Sequence, residues 1–109
     1  VEDRHAILFD DIIDTGRTIA AASRALIERG AKSVSVAATH GIFSDESVEK
    51  LKDTPIDEIV VTDTLKQNGN IEKIGNVKIL SVSSIIATAL TSIFADDSVS
   101  AIFMGENVL

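Results

Sequence analysis

The sequence predicts an α/β protein: a three-layer, mainly parallel sheet with helices on both faces. Two observations carry this expectation. Apolar runs of strand length alternate along the chain with segments of helical periodicity. The runs are also nearly continuous in apolar character, as strands of a covered parallel sheet are, instead of alternating with polar residues.

The 109 residues make one domain or part of one, with room for a modest core. "HAILFD" (5–10) is a short apolar run closing on an acid, a first strand. After a turn, "RTIAAASRALIERG" (17–30) sets Ile19, Ala22, Leu26 and Ile27 on one helical face. Its alanines favour helix, and Gly30 stands where a C-terminal cap belongs. "SVSVAAT" (33–39) is a β-branched second strand. "SDESVEKLK" (44–52) is a short helix, with Ser44 as its cap, Asp45 and Glu46 in its first turn, and Thr54-Pro55 stopping it.

"DEIVVTD" (57–63) is a third strand, again ending on an acid. Residues 64–76, with "KQNGN", form a loop carrying a turn, and "VKILS" (77–81) is the fourth strand. "SSIIATALTSIFA" (83–95) is a second long helix. Ile86, Leu90, Ile93 and Phe94 make its apolar stripe, and Ile85, Ile86 and Phe94 are expected in the core. The tail "DDSVSAIFMGENVL" has no clear periodicity. Its Val99, Ile102, Phe103 and Met104 are more apolar surface than a free end should expose, which points to packing or assembly ahead of a regulatory role.

Composition narrows the function. A net charge of −7 argues against non-specific binding of nucleic acid or acidic membranes, so an anionic ligand would need a local cradle. No apolar run approaches the roughly 20 residues of a membrane span. The first residues lack a basic-then-apolar signal peptide. Without cysteine there is no disulfide framework and no thiolate metal site, and a cytoplasmic location is expected. His5 and His40 do not pair at metal-binding spacing. His5 is expected at the surface, and His40 as a hydrogen-bonded structural or interface residue.

Ligands of parallel sheets bind at the carboxyl ends of strands, where Asp10, Thr39 and Asp63 fall. The stretch "FDDIIDTGRTI" (9–19) is the most informative. "DTGRT" leaves a strand and enters a helix, so several amides have no intrahelical partner. Gly16 permits a tight turn and close backbone approach, and the Thr15 and Thr18 hydroxyls add donors. Such a turn can hold phosphate, although an isolated D-T-G string can also do no more than cap its helix through Asp14 or Thr15. The acids Asp10 and Asp11 would repel a phosphate. They can accept hydrogen bonds from neutral hydroxyls, or hold Mg²⁺ between themselves and a ligand. A sugar phosphate meets both halves of the loop. Asp63 and Thr64 either border that pocket or cap the sheet edge.

"ILFDDIIDTGRTI" resembles the phosphoribosyl diphosphate-binding signature of type I phosphoribosyltransferases and ribose-phosphate diphosphokinases. Further stretches resemble the diphosphokinase family: "LIERGAKSVSVAATHGIFSDESVEKL" (26–51), "EIVVTDTL" (58–65), "ILSVSSIIATAL" (79–90) and "DDSVSAIF" (96–103). The resemblance implies a type I phosphoribosyltransferase-like fold. It also implies that residues 1–109 are the C-terminal part of a longer domain, with a sheet incomplete at the N-terminus and the ATP-binding half upstream. By the same resemblance, Asp14, Thr15, Gly16, Arg17 and Thr18 wrap the 5-phosphate of ribose 5-phosphate. Asp10 and Asp11 face the ribose hydroxyls and an associated Mg²⁺.

Arg17 stands where the family commonly has glycine or alanine, and its side chain could point to solvent or reach the phosphate. Leu65-Lys66 lacks the proline that often follows this strand. The catalytic Lys and Arg of the family belong to a loop upstream, so none is assigned here. The implied reaction takes ATP and ribose 5-phosphate to phosphoribosyl diphosphate and AMP, in a homo-oligomer.

Three rival readings share features of the chain. A nucleobase phosphoribosyltransferase would share the loop but needs a base-recognising hood, and the chain has four Phe with no Trp or Tyr. A receiver domain shares the acid pair but requires a Lys-Pro that is missing here. A non-catalytic, regulatory homologue of the diphosphokinase differs only in residues upstream.

Overall fold

The computed structural model describes residues 1–95. The tail residues Val99, Ile102, Phe103 and Met104, and the role expected of them, lie outside the described residues. The order of elements is β1 (His5–Ile13), α1 (Arg17–Glu28), β2 (Ser33–Gly41), α2 (Asp45–Lys52), β3 (Glu58–Thr62), α3 (Asn70–Ile74), β4 (Val77–Leu80) and α4 (Ser83–Phe94). The strands form one parallel sheet in the order β1-β2-β3-β4. This is the expected parallel α/β class.

A sheet that grows in one direction through right-handed crossovers puts each connecting helix on the same face. One buried cluster records this: Val34, Val36, Ala38, Ile59 and Val61 of the sheet meet Ile19 of α1, Leu51 of α2 and Ile74 of α3. The opposite face is bare in the described residues, with Phe9 79% and Ile7 61% exposed. α4 follows the last strand and packs against none of the other described helices or strands. Its stripe of Ile86, Leu90, Ile93 and Phe94 is exposed and Ile85 is half-buried, against the core position expected for Ile85, Ile86 and Phe94. Periodicity fixes which side chains share a helical face but not the surface they cover. No helix among the described residues is long and apolar enough to cross a membrane.

β1 runs three residues further than its apolar run suggests. Asp10 is paired opposite Ala38, and Ile12 and Ile13 find His40 and Gly41, because β2 also continues. The two acids therefore lie within the strand instead of at its tip. A ladder needs a partner backbone, not apolar side chains. Burial alternates through Ala6, Leu8 and Asp10 and through Val34, Val36 and Ala38, then skips to Ile13 and Gly41 in both strands. The shared change of phase turns Ile13 into the core at the base of the following loop.

α1 closes as Gly30 predicts, with Gly30 N–H on the Ile27 carbonyl (3.0 Å) and Ala31 N–H on that of Leu26 (2.9 Å). α2 begins after Ser44, but Ser44 makes no side-chain capping bond to it. The stretch expected as loop between β3 and β4 contains α3, whose Asn70 and Ile74 are buried.

Candidate anion and sugar site

Asp14, Thr15 and Gly16 turn the chain from β1 into α1. Gly16 takes the N-cap position with φ 79° and ψ 5°, a left-handed conformation that a side chain disfavours. A Cβ there would stand 3.0 Å from both Cγ and Cδ2 of Leu51, a fully buried residue of α2. Glycine is thus required by the turn and by the seating of the loop on α2.

The amides of Thr15, Gly16, Thr18 and Ile19 donate to no group among the described residues. The Arg17 amide donates to Thr15 Oγ1 (3.3 Å). These residues line a pocket of about 170 Å³ together with Asp10, Ile12, Ile13 and Asp14. Free amides at the start of a twelve-residue helix bring partial positive charge to that pocket.

The acids divide. Asp10 lines the pocket, and its Oδ1 accepts the Asp11 N–H (2.8 Å), which leaves its other oxygen for a ligand. Asp11 is exposed and does not line the pocket. Asp14 lines it from an exposed position, and its carbonyl accepts the N–H (3.0 Å) and the hydroxyl (3.2 Å) of Ser44. Ser44 therefore holds the loop in place of capping α2. Among the described residues no three or more His, Cys, Asp or Glu gather as a metal site. Mg²⁺ commonly takes only one or two carboxylates and completes its shell with ligand and water. Asp10 fits that pattern as a single carboxylate, whereas Asp11 lies outside the pocket.

Arg17 borders the pocket, but its charged end is engaged elsewhere. Its guanidinium forms a two-point pair with Glu46 of α2, from Nη2 to Oε1 (2.7 Å) and from Nε to Oε2. The hydrogen bond from Arg17 holds the Glu46 carboxyl below its usual range, and the same bond raises Arg17. Any attraction for an anion thus rests on amides and hydroxyls, without a free cation at position 17.

Asp63 and Thr64 do not line this pocket. Asp63 Oδ1 accepts the Val82 N–H (2.9 Å), which with Ser81 keeps its carboxyl below the usual range. Thr64 Oγ1 meets His40 Nδ1 at 2.6 Å, and Thr62 Oγ1 donates to the Thr39 carbonyl at 2.6 Å. His40 is hydrogen-bonded, as its reading as a structural residue requires.

Sequence reasoning missed what supports the loop. Ile13 O receives the amides of Ile42 (2.8 Å) and Phe43 (3.2 Å), so the segment after β2 is laced to the end of β1. That segment is in turn held by side-chain amides from "QNGN". Gln67 donates to Gly41 O (3.1 Å), Asn68 to Ile42 O (3.3 Å) and Phe43 O (3.1 Å), and Asn70 to Phe43 O (2.8 Å). Three amide side chains within four residues were the available signal; their partners, some 25 residues back, were not visible in it.

Fold and loop together define a parallel α/β domain with anion-binding geometry at its first strand–helix turn. The chain belongs to the phosphoribosyl synthetase-associated domain family, whose sequence model matches residues 1–104. It is 47% identical over 103 residues to a ribose-phosphate pyrophosphokinase of Haemophilus influenzae, covering 94% of this chain and 33% of that protein. A protein of the same name from Clostridium acetobutylicum is 42% identical over 106 residues, covering 97% and 33%. A crystal structure of phosphoribosylpyrophosphate synthetase from Mycobacterium smegmatis shares the fold with a TM-score of 0.79 and 38% identity. That match covers 88% of this chain and 32% of the other. The chain spans about a third of the length of the curated relatives it matches.

Proposed function

We propose that this chain forms the ribose 5-phosphate-binding part of a ribose-phosphate diphosphokinase. On this reading it is the C-terminal part of a phosphoribosyltransferase-like domain, with the ATP-binding half and the catalytic Lys and Arg upstream. The names of the relatives favour the diphosphokinase over a nucleobase phosphoribosyltransferase. The observation that carries the site is the pocket shared by the free amides of Thr15, Gly16, Thr18 and Ile19 and by Asp10.

Residues 14–18 wrap the 5-phosphate, through the amides and the Thr15 and Thr18 hydroxyls. The Arg17 side chain stays on Glu46. Asp10 accepts hydrogen bonds from the ribose hydroxyls, with Asp11 on the outer side, and so orients the sugar. The 1-hydroxyl of ribose 5-phosphate attacks the β-phosphorus of ATP, its proton passes to solvent, the bond from the β-phosphorus to the α-phosphate oxygen breaks, and AMP leaves as phosphoribosyl diphosphate forms. Because the nucleophile belongs to the substrate, this segment contributes positioning and needs no activated serine or cysteine. Held by Asp10 against the sugar, Mg²⁺ would supply neutralisation of negative charge. The reading places the protein in the cytoplasm, as a homo-oligomer built by the complete chain. The 109 residues alone would bind ribose 5-phosphate weakly and not turn over.

Calorimetric titration tests the division of labour. Asp10→Asn is expected to weaken ribose 5-phosphate binding about tenfold and inorganic phosphate binding by less than about twofold. Equal losses for both ligands, or no binding of ribose 5-phosphate to the unaltered chain, would overturn it.

A further inference from the structure

We infer that Asn70 is a positioning residue for the anion loop, acting through Phe43, with Asn68 as its auxiliary. This rests on the ribose 5-phosphate reading of that loop. Asn70 lies at the start of α3, far along the chain from residues 14–18, and is only 5% exposed, so water cannot readily replace what it provides. Its Nδ2 has two hydrogens and both are engaged, one on the Phe43 carbonyl (2.8 Å) and one on Asp45 Oδ1 at the start of α2 (3.1 Å). Asn68 adds a second donor to Phe43 O (3.1 Å) and orients Asn70 by accepting its N–H (2.9 Å).

Phe43 needs holding. Its φ of 49° is left-handed, a conformation that a bulky residue adopts only where its surroundings impose it. The ring is fully buried beneath Gly41, where even a Cβ on residue 41 would collide with it. From Phe43 the connection to the loop is short. The Phe43 and Ile42 amides donate to Ile13 O, and the next residue, Ser44, donates to Asp14 O. The amide side chain thus fixes a strained segment, and that segment fixes the two carbonyls from which the anion loop departs. Converging amides lose much of their hold on an oxyanion when misplaced by about an ångström.

The test compares ribose 5-phosphate affinity in Asn70→Leu, Asn68→Ala and Thr18→Val with that of the unaltered protein, with melting temperature measured alongside. Leucine nearly matches asparagine in volume but donates nothing, so a space-filling Asn70 predicts unchanged affinity. A positioning Asn70 predicts a loss of about tenfold, at temperatures where the variant remains folded, and Asn68→Ala a loss of about threefold. Unchanged affinity in Asn70→Leu overturns the inference. Should that variant not fold, unchanged affinity in Asn68→Ala does so instead. Thr18→Val separates the two readings. A loss there with none in the asparagine variants defeats only the positioning role, whereas no loss in any of the three defeats the loop as the phosphate site as well.

Discussion

Gly16 sits at the centre of the loop for a reason the loop itself does not display. Its positive φ is set by the turn, and its missing side chain leaves room for Leu51. Gly16→Ala is expected to cost about 1–3 kcal/mol, from the left-handed backbone and the crowding of a fully packed leucine. Chemical denaturation checks it, and an unchanged midpoint would mean that the loop is not seated on α2. Arg17, the neighbour, has the charge an anion site would want, yet spends it on Glu46. The sequence left open whether this side chain meets solvent or ligand; the pairing partner stands 29 residues away.

At the scale of elements, α1 and α2 are joined by that exposed pair. The Glu46 carboxyl is held below its ordinary value of 4.5 by the Arg17 hydrogen bond. A carboxyl lowered in the folded state stabilises it fully above the ordinary value, and loses that effect as pH falls through the lowered one. The melting temperature of the protein should therefore exceed that of Glu46→Gln at neutral pH by a small margin, since exposed pairs contribute little. The margin should shrink as pH falls below 4.5 and close once pH is below the lowered value. A difference that persists at lower pH would assign the effect to packing. Element boundaries were legible where side-chain pattern and backbone agreed, as in α1 and β3. They were misplaced in β1, where two acids interrupt the apolar run while the ladder to β2 continues. α3 went unseen because five residues are too few to show a helical period.

Over the whole molecule the net charge of −7 opposes any phosphate ligand. Raising ionic strength from about 0.01 M to about 0.15 M shortens the screening length from about 30 Å to about 8 Å. Ribose 5-phosphate affinity should then rise modestly, because distant repulsion is screened while the amides in contact are not. A fall across that range would place a net positive field at the loop. The same scale explains the bare sheet face and the exposed stripe of α4. Strand order and crossover hand gather α1, α2 and α3 on one side, and nothing in the periodicity of residues 83–94 could show that α4 finds no strand or helix to cover among the described residues.

The amino-acid sequence by itself determined the parallel α/β class, the approximate positions of the four strands and of three of the four helices among the described residues, and the strand–helix turn with unpaired amides. Each follows from local chemistry: side-chain period, capping residues and backbone freedom. Only the tertiary structure decided that Asp10 and not Asp11 lines the pocket, that Arg17 is drawn off by Glu46, and that Gln67, Asn68 and Asn70 brace the segment behind the loop. Those outcomes depend on which distant residues the fold brings within hydrogen-bonding distance, and spacing along a chain does not encode distance in space.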